Sequence, residues 1–166
     1  MPTCIFGIAI LFPKILTSHT EILFITSQAY LNLDKAGSNQ CFTNEAEMYT
    51  VITTQARKVM EETDYDGIIS TGTMLQNLRT TSLNDDLHLT RDGFHMNNGI
   101  SRYGAACTVF ESIITPMTGK NLDGNTYRYA GNDEVTIPVT DGNAPIALEA
   151  ARAAIKKPFE ITKINY

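Results

Sequence analysis

Two short apolar runs, separated by one amphipathic stretch, constrain this chain most. The first, Glu21 to Ala29, reads Glu-Ile-Leu-Phe-Ile-Thr-Ser-Gln-Ala. The second, Gly67 to Gly72, reads Gly-Ile-Ile-Ser-Thr-Gly. Short continuous runs of β-branched and aromatic residues suit strands buried on both faces, as in a parallel sheet. Between them a helix is predicted from Asn44 to Glu62. Met48, Val51, Ile52, Gln55, Val59 and Met60 fall mostly on one of its faces. Thr43 or Asn44 can cap it, and Glu45 and Glu47 suit its positive end. Such alternation points to an α/β domain with a mainly parallel sheet.

Residues Thr73 to Asn97 lack firm periodicity and are expected to form a long loop. That loop leaves the carboxyl end of the second strand, where active sites of such sheets gather. It carries Arg79, Asp85, Asp86, His88, Arg91, Asp92 and His95. A helix is predicted from Asn98 to Ile114. Its stripe is Ile100, Tyr103, Ala106, Cys107, Phe110, Ile113 and Ile114, and Pro116 ends it. Tyr103 and Phe110 read as core rather than as a ligand platform. A strand from Glu134 to Val139 and a turn at Asp141-Gly142-Asn143 are expected next. An Ala-rich helix from Pro145 to Lys157 follows, with Pro145 in its first turn.

The 166 residues suit a single domain, 1–166, able to bury a core. The formal net charge of -5 argues against a nucleic-acid surface, which needs a Lys/Arg excess. No polybasic patch suggests a membrane surface. The three cysteines, Cys4, Cys41 and Cys107, are odd in number and far apart, which argues against a disulfide framework or a zinc ribbon. The apolar run Cys4 to Phe12 is too short to span a bilayer. No basic segment precedes it as in a signal peptide, so it reads as a buried strand or helix.

Asp92 and His95 carry the most specific chemistry. Two residues, Gly93 and Phe94, separate them. In a tight loop that spacing lets the carboxylate hold one ring nitrogen and fix the tautomer. The other nitrogen can then take a proton from a serine hydroxyl. Gly93 gives the backbone latitude for the turn. Alone, D-x-x-H is weak, since many such pairs are surface residues or caps. His88, Asp92, His95, Asp85 and Asp86 could be read as a metal cluster, but their spacing matches no zinc pattern. No metal or cofactor is therefore expected. Arg79 and Arg91 could meet an anionic group or pair with Asp92. His19 reads as a loop residue.

The wider stretch Asp86-Leu-His-Leu-Thr-Arg-Asp-Gly-Phe-His-Met-Asn-Asn-Gly-Ile-Ser-Arg-Tyr-Gly-Ala-Ala-Cys107 resembles the last signature block of SGNH hydrolases, or GDSL-type esterases. The helix with its Met48-Tyr49 pair, the strand ending near Gly72 and Gln76-Asn77-Leu78-Arg79 are similar to an SGNH-like branch of unknown function. The resemblance runs from about Ile22 to Ile161. It implies a three-layer α/β/α, flavodoxin-like fold. It also implies hydrolysis of small-molecule or carbohydrate esters, often acetyl esters, with His95 as general base and Asp92 orienting it. Relatives of this kind are often periplasmic or secreted. The parts would be an atypical segment 1–20, an SGNH-like portion 21–120 and an extension 121–166.

That family places its serine in an N-terminal Gly-Asp-Ser-like block and draws oxyanion donors from the serine N–H, a Gly and an Asn. Residues 1–20 contain Gly7 and Ser18 but no such block, so the chain reads as the C-terminal portion of an incomplete domain whose nucleophile is not evident. Ser27 and Ser70 lack the elbow that exposes a nucleophile, and read as ordinary strand residues. Losing the first strand would expose an apolar edge. The Cys4–Phe12 run could cover it, or the chain could form a homo-oligomer. Serine and histidine act as a unit. The alternative to an esterase is therefore an inactive remnant, or a carbohydrate-binding or structural domain on the same fold.

Overall fold

The computed structural model describes residues 8–13, 20–34, 41–128 and 137–166. Its elements in order are β1 (Ile8–Pro13), β2 (Thr20–Ile25), α1 (Glu45–Glu62), β3 (Gly67–Ile69), α2 (Thr71–Arg79), α3 (Ile100–Thr118) and α4 (Ala144–Lys156). The fold is α/β, but the sheet is mixed. Strand order among the described residues is β1-β2-β3. β2 and β3 run parallel, with Leu23 opposite Gly67 and Ile25 opposite Ile69. β1 runs antiparallel to β2, with Ile8 opposite Ile25 and Pro13 opposite Thr20. The backbone of the N-terminal apolar run thus lies along the second edge of β2.

α1 is the crossover that a parallel pair requires. Asn44 caps it, its Oδ1 accepting from the Glu47 N–H at 2.9 Å. Glu47 Oε2 reaches back to accept from the Thr43 N–H at 2.7 Å. Its buried residues are Met48, Tyr49, Ile52, Thr53 and Ala56. The face is rotated from the expected one, because Tyr49, Thr53 and Ala56 pack inward while Gln55 stays exposed.

α2 replaces the start of the expected long loop. Thr71 through Leu78 are all buried, so the helix has no solvent face and shows no period. Its polar side chains stay paired instead. Thr71 Oγ1 donates to the Thr26 carbonyl at 2.5 Å, and Thr73 Oγ1 to that of Pro158 at 2.6 Å. Asn77 is fully buried. Its Nδ2 donates to the Ala150 carbonyl at 3.2 Å, and its Oδ1 accepts from the Thr162 N–H at 2.6 Å.

α3 runs past Pro116, which sits inside its last turn. The helix ends at Gly119, whose φ of 71° and N–H to the Thr115 carbonyl at 2.8 Å close it. Its buried face includes Ser101, Gly104, Cys107 and Thr108, while Ala106 is exposed. Small residues here let α2 and α3 approach closely. A Cβ on Gly104 would fall 2.6 Å from Met74 Sδ. α4 continues the theme with Ala147, Ala150, Ala151 and Ala154, all fully buried against α2 and α3. The strand expected over Glu134–Val139 begins outside the described residues, and 137–139 belong to no strand. A disulfide engages Cys41, a departure from the expectation; sequence separation does not report which thiols meet in space. Cys107 is a free buried thiol, pushed by burial up to about 11. No described helix is long and apolar enough to cross a membrane.

Asn77 ties α2 to α4 and to the C-terminal segment at once. Asn77→Ala leaves the Thr162 N–H without its acceptor and removes the side-chain donor that ties α2 to the Ala150 carbonyl of α4. It is expected to lower the stability measured by urea unfolding by about 2–3 kcal/mol.

Candidate functional site

The chain leaving β2 crosses the carboxyl end of the sheet and carries the loop that bears Asp92. Gln28 Nε2 donates to the Phe94 carbonyl at 2.7 Å, and the Asn32 N–H to the Gly93 carbonyl at 2.8 Å. The loop is closed at its base by a Thr90–Met96 bridge and by the Arg91 N–H on the His95 carbonyl at 2.9 Å. Thr90 is buried, and its Oγ1 accepts from the Gly93 N–H at 2.9 Å. Gly93 has φ 91°, and a Cβ there would fall 2.5 Å from Asn32 Cβ. Only glycine fits this crossing.

Asp92 organises the turn and the imidazole together. Its Oδ1 accepts from the Phe94 and His95 N–H groups at 3.2 and 2.8 Å. Its Oδ2 meets His95 Nδ1 at 2.7 Å. Burial alone would raise this carboxyl. The ring and the two N–H groups together hold it well below the usual carboxylate range. The imidazole packs on the Phe94 ring, with centroids 3.8 Å apart, and Phe94 meets Tyr30 edge-on at 5.6 Å. The His95 side chain is 46% exposed, and its Nε2 makes no hydrogen bond among the described residues. A carboxylate on Nδ1 keeps the proton there and leaves Nε2 as an acceptor, the arrangement a general base needs.

The other candidates lie elsewhere. Ser70 sits at the N-cap position of α2 at 1% exposure, and the buried Ser70 and Ser27 hydroxyls have no hydrogen-bond partner among the described residues. Arg79 does not pair with Asp92. It forms an ion pair with Glu45 and donates to the His88 carbonyl. His88 Nδ1 meets Glu45 Oε2 at 2.8 Å. Asp85 Oδ1 accepts from the Leu89 N–H at 2.8 Å, while Asp86 is exposed. His88 thus meets Glu45 and His95 meets Asp92, on separate carboxylates. Among the described residues no three His, Cys, Asp or Glu side chains converge on one point. His19 lies outside the described residues. Tyr103, on α3, meets Asn125 at 3.1 Å. Sequence reasoning missed Glu45 as a site residue, because an acid in a helix's first turn already has a reading as a dipole partner.

The pattern of a domain of unknown function, DUF4886, matches residues 16–136. The chain belongs to the DUF4886 family. No curated protein matches it. Among solved structures it is similar to a DUF4886 family protein from Bacteroides uniformis ATCC 8492, at 31% identity and a TM-score of 0.68. The match covers 86% of this chain and 50% of that one, so this DUF4886 chain spans half the length of its solved relative.

Two outcomes follow from the Asp92 turn. Gly93→Ala is expected to cost about 2 kcal/mol or more in urea unfolding, and to displace the His95 imidazole resonances. Asp92 also gives the fold an acid limb. Its folded carboxyl is depressed, so its contribution is complete above the unfolded value of about 4 and is lost as pH falls toward the folded one. The stability gap between wild type and Asp92→Asn should therefore narrow on acidification, as read from urea midpoints over a pH series. A gap that widens in acid would contradict the assignment.

Proposed function

We propose that the site belongs to an SGNH-type ester hydrolase in which His95 is the general base and Asp92 holds its tautomer. The favoured substrates are small-molecule or carbohydrate esters, acetyl esters above all. The Asp92–His95 contact of 2.7 Å carries this reading, with the imidazole half-exposed beyond the carboxyl end of β2. The likeness of Asp86–Cys107 to the SGNH signature block supports it. On this reading the fold is the three-layer, flavodoxin-like arrangement of those enzymes. The nucleophile would be a serine presented to Nε2, with oxyanion donors beside it.

One observation favours a second reading for this chain by itself. Both serines at the ends of β2 and β3 have buried hydroxyls, so neither is offered to a substrate. A domain that binds or supports without turnover fits that fact.

Two experiments separate the readings. Hydrolysis of p-nitrophenyl acetate by this chain is compared with that of His95→Ala. Loss of about 100-fold or more on substitution supports a base role, and equal rates support the non-catalytic reading. Labelling the Bacteroides uniformis protein with a fluorophosphonate tests the wider proposal. Label on a serine in the half this chain does not match is the expected result. An unlabelled protein would count against a serine mechanism.

A further inference from the structure

A second carboxylate–histidine pair lies along the same cleft as Asp92. The cleft has a volume of ≈ 1320 Å³, and Asn32, Asn44, Glu45, Gln76, His88 and Asp92 contribute to its polar lining. Glu45 Oε1 accepts from Gln76 Nε2 at 3.1 Å and from the Arg79 guanidinium. Glu45 Oε2 meets His88 Nδ1 at 2.8 Å. An ionised carboxylate only accepts, so Nδ1 carries a proton, and Nε2 of the neutral ring is an acceptor. Nε2 makes no hydrogen bond among the described residues, and the His88 side chain is 38% exposed.

The backbone that holds this ring is strained. His88 and Leu89 have φ of 49° and 61°. Two successive left-handed residues bearing a Cβ are costly, and a branched-chain leucine is a poor choice for one. Several contacts enforce the conformation. The His88 N–H donates to the Asp85 carbonyl at 2.9 Å, and the Leu89 N–H to Asp85 Oδ1 at 2.8 Å. Arg79 Nε donates to the His88 carbonyl at 2.9 Å, and Leu89 is fully buried. Strain held so firmly at a residue lining a cleft is the pattern of a ligand contact.

We infer that His88, supported by Glu45 and Arg79, is a binding position for a hydroxyl of a neutral, hydroxyl-rich ligand. A lone pair on Nε2 calls for an O–H donor. An anion would face the carboxylates of Glu45 and Asp92. A cation finds little at Glu45, whose two oxygens are already taken by Gln76, Arg79 and His88. Uncharged polar side chains of Thr50 and Gln76 also line the cleft, which suits a ligand rich in hydroxyls. This position goes beyond the hydrolase reading, since it does not require His95 to act as a base.

NMR on the 15N-labelled protein tests it, with xylobiose, cellobiose and chitobiose as neutral probes and glucuronate as an anionic one. The free protein should show His88 in the Nδ1–H tautomer at neutral pH. At least one neutral disaccharide should shift His88 Nε2 together with the amides of Glu45 and Gln76. Its affinity should fall about tenfold in His88→Asn, where asparagine tolerates the left-handed backbone but cannot reach the same point. Glucuronate should bind more weakly. An Nε2–H tautomer, no response at His88, undiminished affinity in His88→Asn or tighter binding of glucuronate would each overturn the inference.

Discussion

The backbones of Asn32 and Gly93 meet through a 2.8 Å hydrogen bond, at a spot with no room for a side-chain carbon on Gly93. The site depends on this crossing. It pins the segment leaving β2 to the loop that leads into α3. With Gly93 fixed, Asp92 on one side and Phe94 and His95 on the other have little freedom left. The Asp92 carboxylate then closes a turn of only four residues, Asp92 to His95, onto the imidazole. Two N–H groups and one ring nitrogen share that carboxylate, so the turn and the tautomer form one unit.

How much of this was legible beforehand varied with the balance of buried and exposed faces. α1 was legible because one face is wet, and its cap at Asn44 fell where the polar signals put it. β2 and β3 were legible as short apolar runs, though both end earlier than read, since the chain passes from Ser70 straight into α2 and Thr26 bonds to that helix's first residues. α2 was invisible for the opposite reason. Thr71 to Leu78 are buried on every side, and a helix without a solvent face leaves no period in its sequence. The antiparallel β1 was equally hard to orient, because an apolar run states burial and not direction. Within the site, Asp92 and His95 stood out through local spacing. Glu45 did not, because it meets His88 across 43 residues and Arg79 across 34.

The burial of α2 also explains why the C-terminal part belongs to the same core. A helix carrying Thr73, Gln76 and Asn77 inside the protein needs a partner for each. The C-terminal segment supplies the Pro158 carbonyl and the Thr162 N–H, and α4 supplies the Ala150 carbonyl. Alanines on α4 and Gly104 on α3 bring those backbones near enough to serve. Small residues and buried amides are thus two sides of one packing solution, and neither is intelligible from hydrophobicity alone.

The two carboxylate–histidine pairs differ in what stands behind the acid, and that difference argues for different roles. Asp92 Oδ1 accepts from two backbone N–H groups, and its Oδ2 meets the His95 imidazole. Such a contact fixes the tautomer and orientation of the ring within one short turn. Glu45 is shared among His88, Gln76 and a buried arginine, at 6% side-chain exposure, so it ties α1 to α2 as well as to the ring. A histidine so held is oriented by groups distant in sequence, whereas His95 is oriented within its own turn. On the proposed readings, the locally held His95 is the group that acts on an ester, and His88, held across α1 and α2, is the one that positions a hydroxyl.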